Sequence, residues 1–190
     1  MTRPPPVEAL LFDLDGTLVD SMHLHFRAYW QELDARGIAL DRERFDAAVG
    51  GRYSETIPAL VDRELSAAEV EGIHDGKMRR FVDNLATEAI PVLPTAALLG
   101  ANDLRVGLVT SGSWETVRVV LDRLDWLDVF DAVVTADDVT RGKPDPEPYE
   151  LALARLGVDA SHSVAFEDSD PGVEAARGAG IPTIDVRAVR

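Results

Sequence analysis

The sequence predicts an α/β fold, a doubly wound parallel sheet with a block of helices inserted after its first strand. Three observations carry this. Short apolar runs that read as buried strands end in polar segments at Asp13, Thr110 and Glu167. From Pro91 onward such runs alternate with helical periodicity, which implies right-handed βαβ crossovers. Between about Asp20 and Glu88, by contrast, no strand signal breaks a series of helical stripes.

The first strand is Ala9-Leu10-Leu11-Phe12, and it runs directly into Asp13-Leu14-Asp15-Gly16-Thr17. Two carboxylates one residue apart at the carboxyl end of a strand sit where open α/β folds place their sites. One acid can ligate a divalent metal and attack an electrophile, while the other, turned away by the intervening residue, can give and take a proton. That is the equipment for phosphoryl transfer through an aspartyl-phosphate. The plainer alternative is a turn closed by an Asx hydrogen bond.

In the helical block, Phe26, Tyr29, Trp30 and Leu33 form a stripe closed by Gly37, and Ile57, Leu60, Val61 and Leu65 form a second. Ser66-x-x-Glu69 is a capping box opening a helix that carries Val70, Ile73, Phe81, Val82 and Leu85. The expected division is a core of residues 1–19 and 89–190 around a helical insert of residues 20–88.

After the insert, Val106-Gly107-Leu108-Val109 leads into Thr110-Ser111-Gly112-Ser113, whose hydroxyls and backbone N–H groups suit a phosphate or simply cap the helix that Ser113 opens. The strand Ala132 to Thr135 precedes Arg141-Gly142-Lys143-Pro144-Asp145-Pro146. Lys143 is one of two lysines, the other being Lys77, in a chain that otherwise uses arginine as its cation. A rigid Pro/Gly loop can aim its ammonium at a phosphoryl oxygen and a carboxylate together; otherwise it is a solvated loop residue. The strand from Ser163 ends in Glu167 and Asp168, oxygen ligands for a hard cation, with Asp170-Pro171 as a helix cap and first turn.

Composition agrees. With 190 residues, 46% of them hydrophobic, the chain can bury one core with a modest inserted lobe. The absence of cysteine excludes a disulfide framework and a thiolate metal site. A formal charge of −15 argues against nucleic-acid and anionic-membrane partners. Three prolines after Met1-Thr2-Arg3 make a stiff tail with no apolar leader, so a soluble cytoplasmic protein is expected, a monomer or weak homodimer.

The four polar segments together resemble the haloacid dehalogenase-like superfamily of phosphohydrolases, over nearly the whole chain. The resemblance implies a Rossmann-like core whose helical insert is a cap. It makes Asp13 the nucleophile, Asp15 the acid/base, Thr110 or the adjacent Ser111 the phosphate-binding hydroxyl and Lys143 the electrostatic clamp. Glu167-Asp168-Ser169 matches the Glu-Asp form of the fourth motif, as in the β-phosphoglucomutase and sugar-phosphatase subgroup. The cofactor implied is Mg²⁺, held by the Asp13 carboxylate, the Asp15 backbone carbonyl and Asp168, with Glu167 direct or through water. Leu14, Ser111 and Gly112 join as substrate-binding positions. In the cap, His25 and Lys77 stand where β-phosphoglucomutases carry a histidine and a phosphate-binding lysine, and Arg52 follows the flexible Gly50-Gly51. Each of these three reads equally as an exposed polar residue, and His23 and His74 read as surface.

There are departures. Pro94-Thr95 replaces a common Pro-Gly, Ser54 stands where the mutases carry an arginine, and the segment from Ile181 resembles the short ending of fructose-1-phosphatase-like proteins. The expectation is a Mg²⁺-dependent phosphatase acting on small phosphorylated metabolites, sugar or polyol monophosphates. The alternatives are a phosphomutase of the β-phosphoglucomutase type and a non-catalytic binding protein on the same fold.

Overall fold

A computed structural model describes residues 6–100 and 104–188. Most of the expected proline tail, Pro4 and Pro5 included, lies outside them. In chain order the elements are β1 (Ala9–Phe12), α1 (Met22–Asp34), α2 (Arg42–Ala48), α3 (Tyr53–Ala59), α4 (Ala67–Thr87), β2 (Arg105–Val109), α5 (Trp114–Arg123), β3 (Ala132–Val134), α6 (Glu147–Leu156), β4 (Ser163–Glu167), α7 (Asp170–Gly178) and β5 (Thr183–Asp185). They fall into two compact units, Met1–Asp20 with Val92–Arg190, and Ser21–Pro91.

The first unit is a five-stranded parallel sheet of order β3-β2-β1-β4-β5. All four residues of β1 are buried, which is why that strand reads as a continuous apolar run rather than an alternation. Ala9 and Leu11 share a core with Tyr149, Ala152 and Leu156 of α6 and with Ala175 and Ala176 of α7. Leu10 and Phe12 point to the opposite face, where Phe12 stacks on Phe166 at 4.8 Å.

Register fixes the site. Phe12 pairs with Leu108 on one side and Phe166 on the other, so the residues following β1 and β2 and the last residue of β4 emerge at one edge. The chain leaves β1 for β2 on one flank and reaches β4 on the other, which makes this edge a topological switch point.

Where the chain leaves the sheet unit and returns, Val19 bridges Val92 and the Leu93 N–H donates to the Leu18 carbonyl at 2.9 Å. The return runs into a 3-10 helix, Pro94–Gly100, with no buried residue.

In the second unit, α1 packs along α4, and Tyr29, Leu33, Phe45, Ile57, Leu60 and Ile73 form its core. The capping box forms as expected: the Glu69 N–H donates to Ser66 Oγ, and Glu69 accepts from the Ser66 N–H at 2.9 Å. Trp30 departs from the expected stripe and is 46% exposed. It lies two residues past buried Ala28, about 200° around the helix. Among the described residues no helix is long and apolar enough to cross a membrane.

Candidate active site

Asp13 is the first residue past β1, and its N–H still donates to the Phe166 carbonyl at 3.1 Å, which anchors the backbone against β4. The chain then turns tightly: the Leu14 carbonyl accepts from the N–H groups of Leu18 and Val19 at 2.9 and 3.1 Å, with Gly16 at φ 87°. Leu14 itself is buried, so any contribution to a ligand would come from its backbone. Asp15 is half-buried in this turn.

Lys143 arrives from the segment between β3 and α6, through a cis Lys143–Pro144 peptide. It is 4% exposed, which rules out the solvated-loop alternative. Its ammonium donates to Asp13 Oδ1 at 2.7 Å, to the Val109 carbonyl at 2.8 Å and to Glu167 Oε1 at 2.5 Å. Asp13, Glu167 and Asp168 each offer an oxygen, and these oxygens lie within 4.8 Å of one another. Among the described residues this is the group of acids suited to a metal ion; the Asp15 carboxylate is not a member.

The electrostatics follow from burial. Burial pushes the Asp13 carboxyl well above the usual carboxylate range, Lys143 opposing the rise and Glu167 and Asp168 adding to it. Burial also works against the Lys143 ammonium, but Asp13 and Glu167 override it and hold its pKa above the ordinary lysine value. Three acids crowd a site whose one ammonium bonds two of them, and the site calls for more positive charge.

A hard divalent cation fits that deficit and that all-oxygen donor set. The backbone leaves room for the acids: a methyl group built on Gly16 would overlap the Asp168 carboxylate, and one on Gly172 would overlap that of Glu167. The Thr17 hydroxyl makes a long contact, 3.5 Å, to Asp168 Oδ1.

Past β2, the buried Thr110 hydroxyl accepts from the Gly112 N–H at 3.1 Å. Ser111 and Gly112 are half-buried beside it, and Ser113 caps α5 by position, its hydroxyl bonded to Thr116 at 3.1 Å. At the end of β4 the cap of α7 is Ser169, which accepts from the Gly172 N–H at 3.1 Å. Asp170 is therefore the first helical residue rather than the cap, and it pairs with Arg187 at 2.6 Å.

In the helical unit, Lys77 Nζ stands 2.9 Å from His25 Nδ1. The ammonium lies over the Phe81 ring at 4.8 Å and the Tyr29 ring at 5.2 Å, and His25 stacks on Phe81 at 4.3 Å. Lys77 is buried, not a surface lysine. Arg52 is the N-cap residue of α3, with an extended backbone. His74 is half-buried and stacks on Tyr53 at 3.8 Å, rather than lying free on the surface.

Two residues of the sheet unit escaped sequence reading. Tyr149, fully buried on α6, donates to Glu167 Oε1 at 2.6 Å and presents its ring 5.4 Å from the Lys143 ammonium. In sequence it is one more apolar position with Ala152 and Leu156. Gly172 is the other: it lies in the first turn of α7, and a glycine inside a helix is itself a signal for close approach.

A family model described as haloacid dehalogenase-like hydrolase matches residues 7–180. The chain belongs to that family. This hydrolase is 35% identical over 182 residues to the phosphorylated carbohydrates phosphatase of Thermotoga maritima, covering 94% of this chain and 84% of that protein. It is 30% identical to the fructose-1-phosphate phosphatase YqaB of Escherichia coli, covering 94% of this chain and 95% of the relative. Among solved structures, CbbY from Rhodobacter sphaeroides in complex with phosphate matches with a TM-score of 0.84 and 31% identity, over 93% of this hydrolase and 84% of that chain.

Proposed function

We propose that this phosphoric monoester hydrolase cleaves small sugar or polyol monophosphates through an aspartyl-phosphate on Asp13, with Mg²⁺ as its cofactor. The observation that carries the reading is the buried pair of Asp13 and Lys143, 2.7 Å apart, beside Glu167 and Asp168. A buried carboxylate held against an ammonium is desolvated, aimed and charge-compensated. The names of the relatives, which act on phosphorylated carbohydrates and fructose 1-phosphate, support the substrate class.

In this reading Asp13, Asp168 and the Asp15 backbone carbonyl hold the cation, with Glu167 direct or through water. Bound there, Mg²⁺ neutralises phosphoryl charge. An Asp13 oxygen attacks phosphorus in line as the bond to the leaving alkoxide breaks, and Asp15 gives that alkoxide its proton. Water then attacks the phosphorus of the aspartyl-phosphate while Asp15, now a carboxylate, takes a proton from it. Inorganic phosphate leaves and the Asp13 carboxylate is restored. Lys143 and the Thr110 or Ser111 hydroxyl hold phosphoryl oxygens, with the backbone N–H groups of Leu14 and Gly112. Uncatalysed monoester hydrolysis is so slow that these groups must together supply on the order of 20 kcal/mol. The test is a panel of phosphorylated metabolites with Mg²⁺, scored for released phosphate; sugar and polyol monophosphates should lead it, and no release from any of them would refute the assignment.

A phosphomutase is the second reading, and the Lys77–His25 pair favours it. Lys77 and His25 stand where β-phosphoglucomutases carry a phosphate-binding lysine and a histidine, and the two side chains meet at 2.9 Å within the helical unit. Incubation with β-glucose 1-phosphate, Mg²⁺ and a trace of the 1,6-bisphosphate separates the two. Free phosphate marks the hydrolase, and glucose 6-phosphate with little free phosphate marks the mutase.

A further inference from the structure

Of the acids at the end of β4, Glu167 is the one that Tyr149 holds. Glu167 is fully buried, and its Oε1 accepts from both the Lys143 ammonium, at 2.5 Å, and the Tyr149 hydroxyl, at 2.6 Å. Its other oxygen meets the Ser169 hydroxyl at 3.4 Å. Asp168, half-buried, accepts from the buried Thr17 hydroxyl at a long 3.5 Å.

Tyr149 sits on α6, five residues past Pro144, so the helix that carries the phenol begins in the same loop that delivers Lys143. Its ring flanks the ammonium while its hydroxyl binds the oxygen on which the ammonium rests. We propose that Tyr149 is a positioning residue: by pinning Glu167 Oε1 it fixes the Lys143 ammonium against the Asp13 carboxylate. The inference deepens the reading of Asp13 as nucleophile and rests on it.

A lysine side chain has four rotatable carbons and three donors, so one carboxylate contact leaves its head free to swing. Here the head is set by Val109, Asp13 and Glu167. Glu167 in turn reaches this point on its own rotatable stem, in space that Gly172 leaves clear. The phenol is the rigid member, with two side-chain torsions and a ring packed in the α6–α7 core. A tyrosine phenol has an ordinary pKa of about 10, so at neutral pH it donates. A group that locks a clamp acts on the transition state, where phosphoryl charge peaks, more than on substrate binding.

The test compares wild type, Tyr149→Phe, Glu167→Gln and the double variant on para-nitrophenyl phosphate with Mg²⁺. Tyr149→Phe keeps the ring and its packing and removes one hydrogen bond to a charged group, so kcat should fall about tenfold while KM stays within about twofold. The double variant should be no slower than Glu167→Gln alone, because the phenol acts through that carboxylate. Unchanged kcat in Tyr149→Phe, or losses that multiply in the double variant, would overturn the proposal.

A second readout is independent of turnover. The chain has two lysines, so ¹⁵N-lysine labelling gives two side-chain ammonium groups, assigned with Lys77→Arg. A clamped Lys143 gives a slowly exchanging ammonium signal that broadens or vanishes in Tyr149→Phe; an identical signal in the variant counts against the clamp. Activity of Asp13→Asn on the same ester tests the nucleophile separately, so a failed clamp and a failed nucleophile are told apart.

Discussion

The Lys143 ammonium lies 2.7 Å from Asp13 Oδ1 and, in the same geometry, 2.5 Å from Glu167 Oε1, so two strands and a loop meet on one positive charge. Lys143→Ala leaves three neighbouring acids without it. Loss of one such electrostatic donor is expected to lower kcat by about 10²–10³-fold, and breaking a buried pair should cost about 3–5 kcal/mol of stability in the absence of metal. Lys143→Arg should not rescue, because a planar guanidinium does not fit a point shared by three acceptors. Steady-state kinetics and thermal unfolding without Mg²⁺ check both. Activity within a few-fold of wild type in either variant would remove Lys143 from the chemistry.

Gly172 gives a sharper structural test. A methyl group there overlaps the Glu167 carboxylate, whereas one on Gly178, in the same helix, meets Pro146 Cβ at an ordinary 3.4 Å. Gly172→Ala is expected to destabilise by about 1–3 kcal/mol and to lower kcat as Glu167 is displaced. Gly178→Ala should be neutral or slightly stabilising, because alanine favours helix. Chemical denaturation of both variants measures the difference, and equal stabilities would mean that Glu167 has room to move aside.

Asp13, Glu167 and Asp168 stood out because they lie at the ends of apolar runs, which a parallel sheet brings to one edge, and Lys143 because it is one of two lysines and sits in a Pro/Gly loop. The Ser66–Glu69 box was legible because capping is local chemistry. Tyr149 was not, since its role depends on a hydroxyl meeting a carboxylate 18 positions away on another element. Trp30 was misassigned because an apolar residue beside a stripe carries no mark of which side of the boundary it falls on. The α7 cap moved from Asp170 to Ser169 for a related reason: two good capping residues in succession leave the choice to the strand that precedes them.

The acid cluster predicts a metal-linked stability. Mg²⁺ binding to the folded site alone should raise the thermal midpoint in proportion to the logarithm of its concentration above the dissociation constant, and excess EDTA should abolish activity. Asp168→Ala should lose most of the midpoint rise. An unchanged Mg²⁺ dependence in that variant would place the cation elsewhere.

Asp15 is expected to matter through its proton. With Asp15→Asn, a sugar monophosphate, whose alkoxide leaves poorly, should phosphorylate the enzyme at least about 10²-fold more slowly. An aryl phosphate, whose phenolate leaves without a proton, should still phosphorylate it at an appreciable rate. Single-turnover measurements with both esters decide it, and equal losses would assign Asp15 to geometry or metal binding instead.

The most direct measurement is of the covalent intermediate itself. Enzyme mixed with a hydrolysable monophosphate and Mg²⁺, quenched in acid during turnover and digested, should yield a peptide heavier by one phosphoryl group. Fragmentation should place that group on Asp13 and not on Asp15. Asp13→Asn, which fits the same space but cannot attack, should give no phosphopeptide and no phosphate release. A phosphoryl group on any other residue, or turnover by Asp13→Asn at the wild-type rate, would contradict the account.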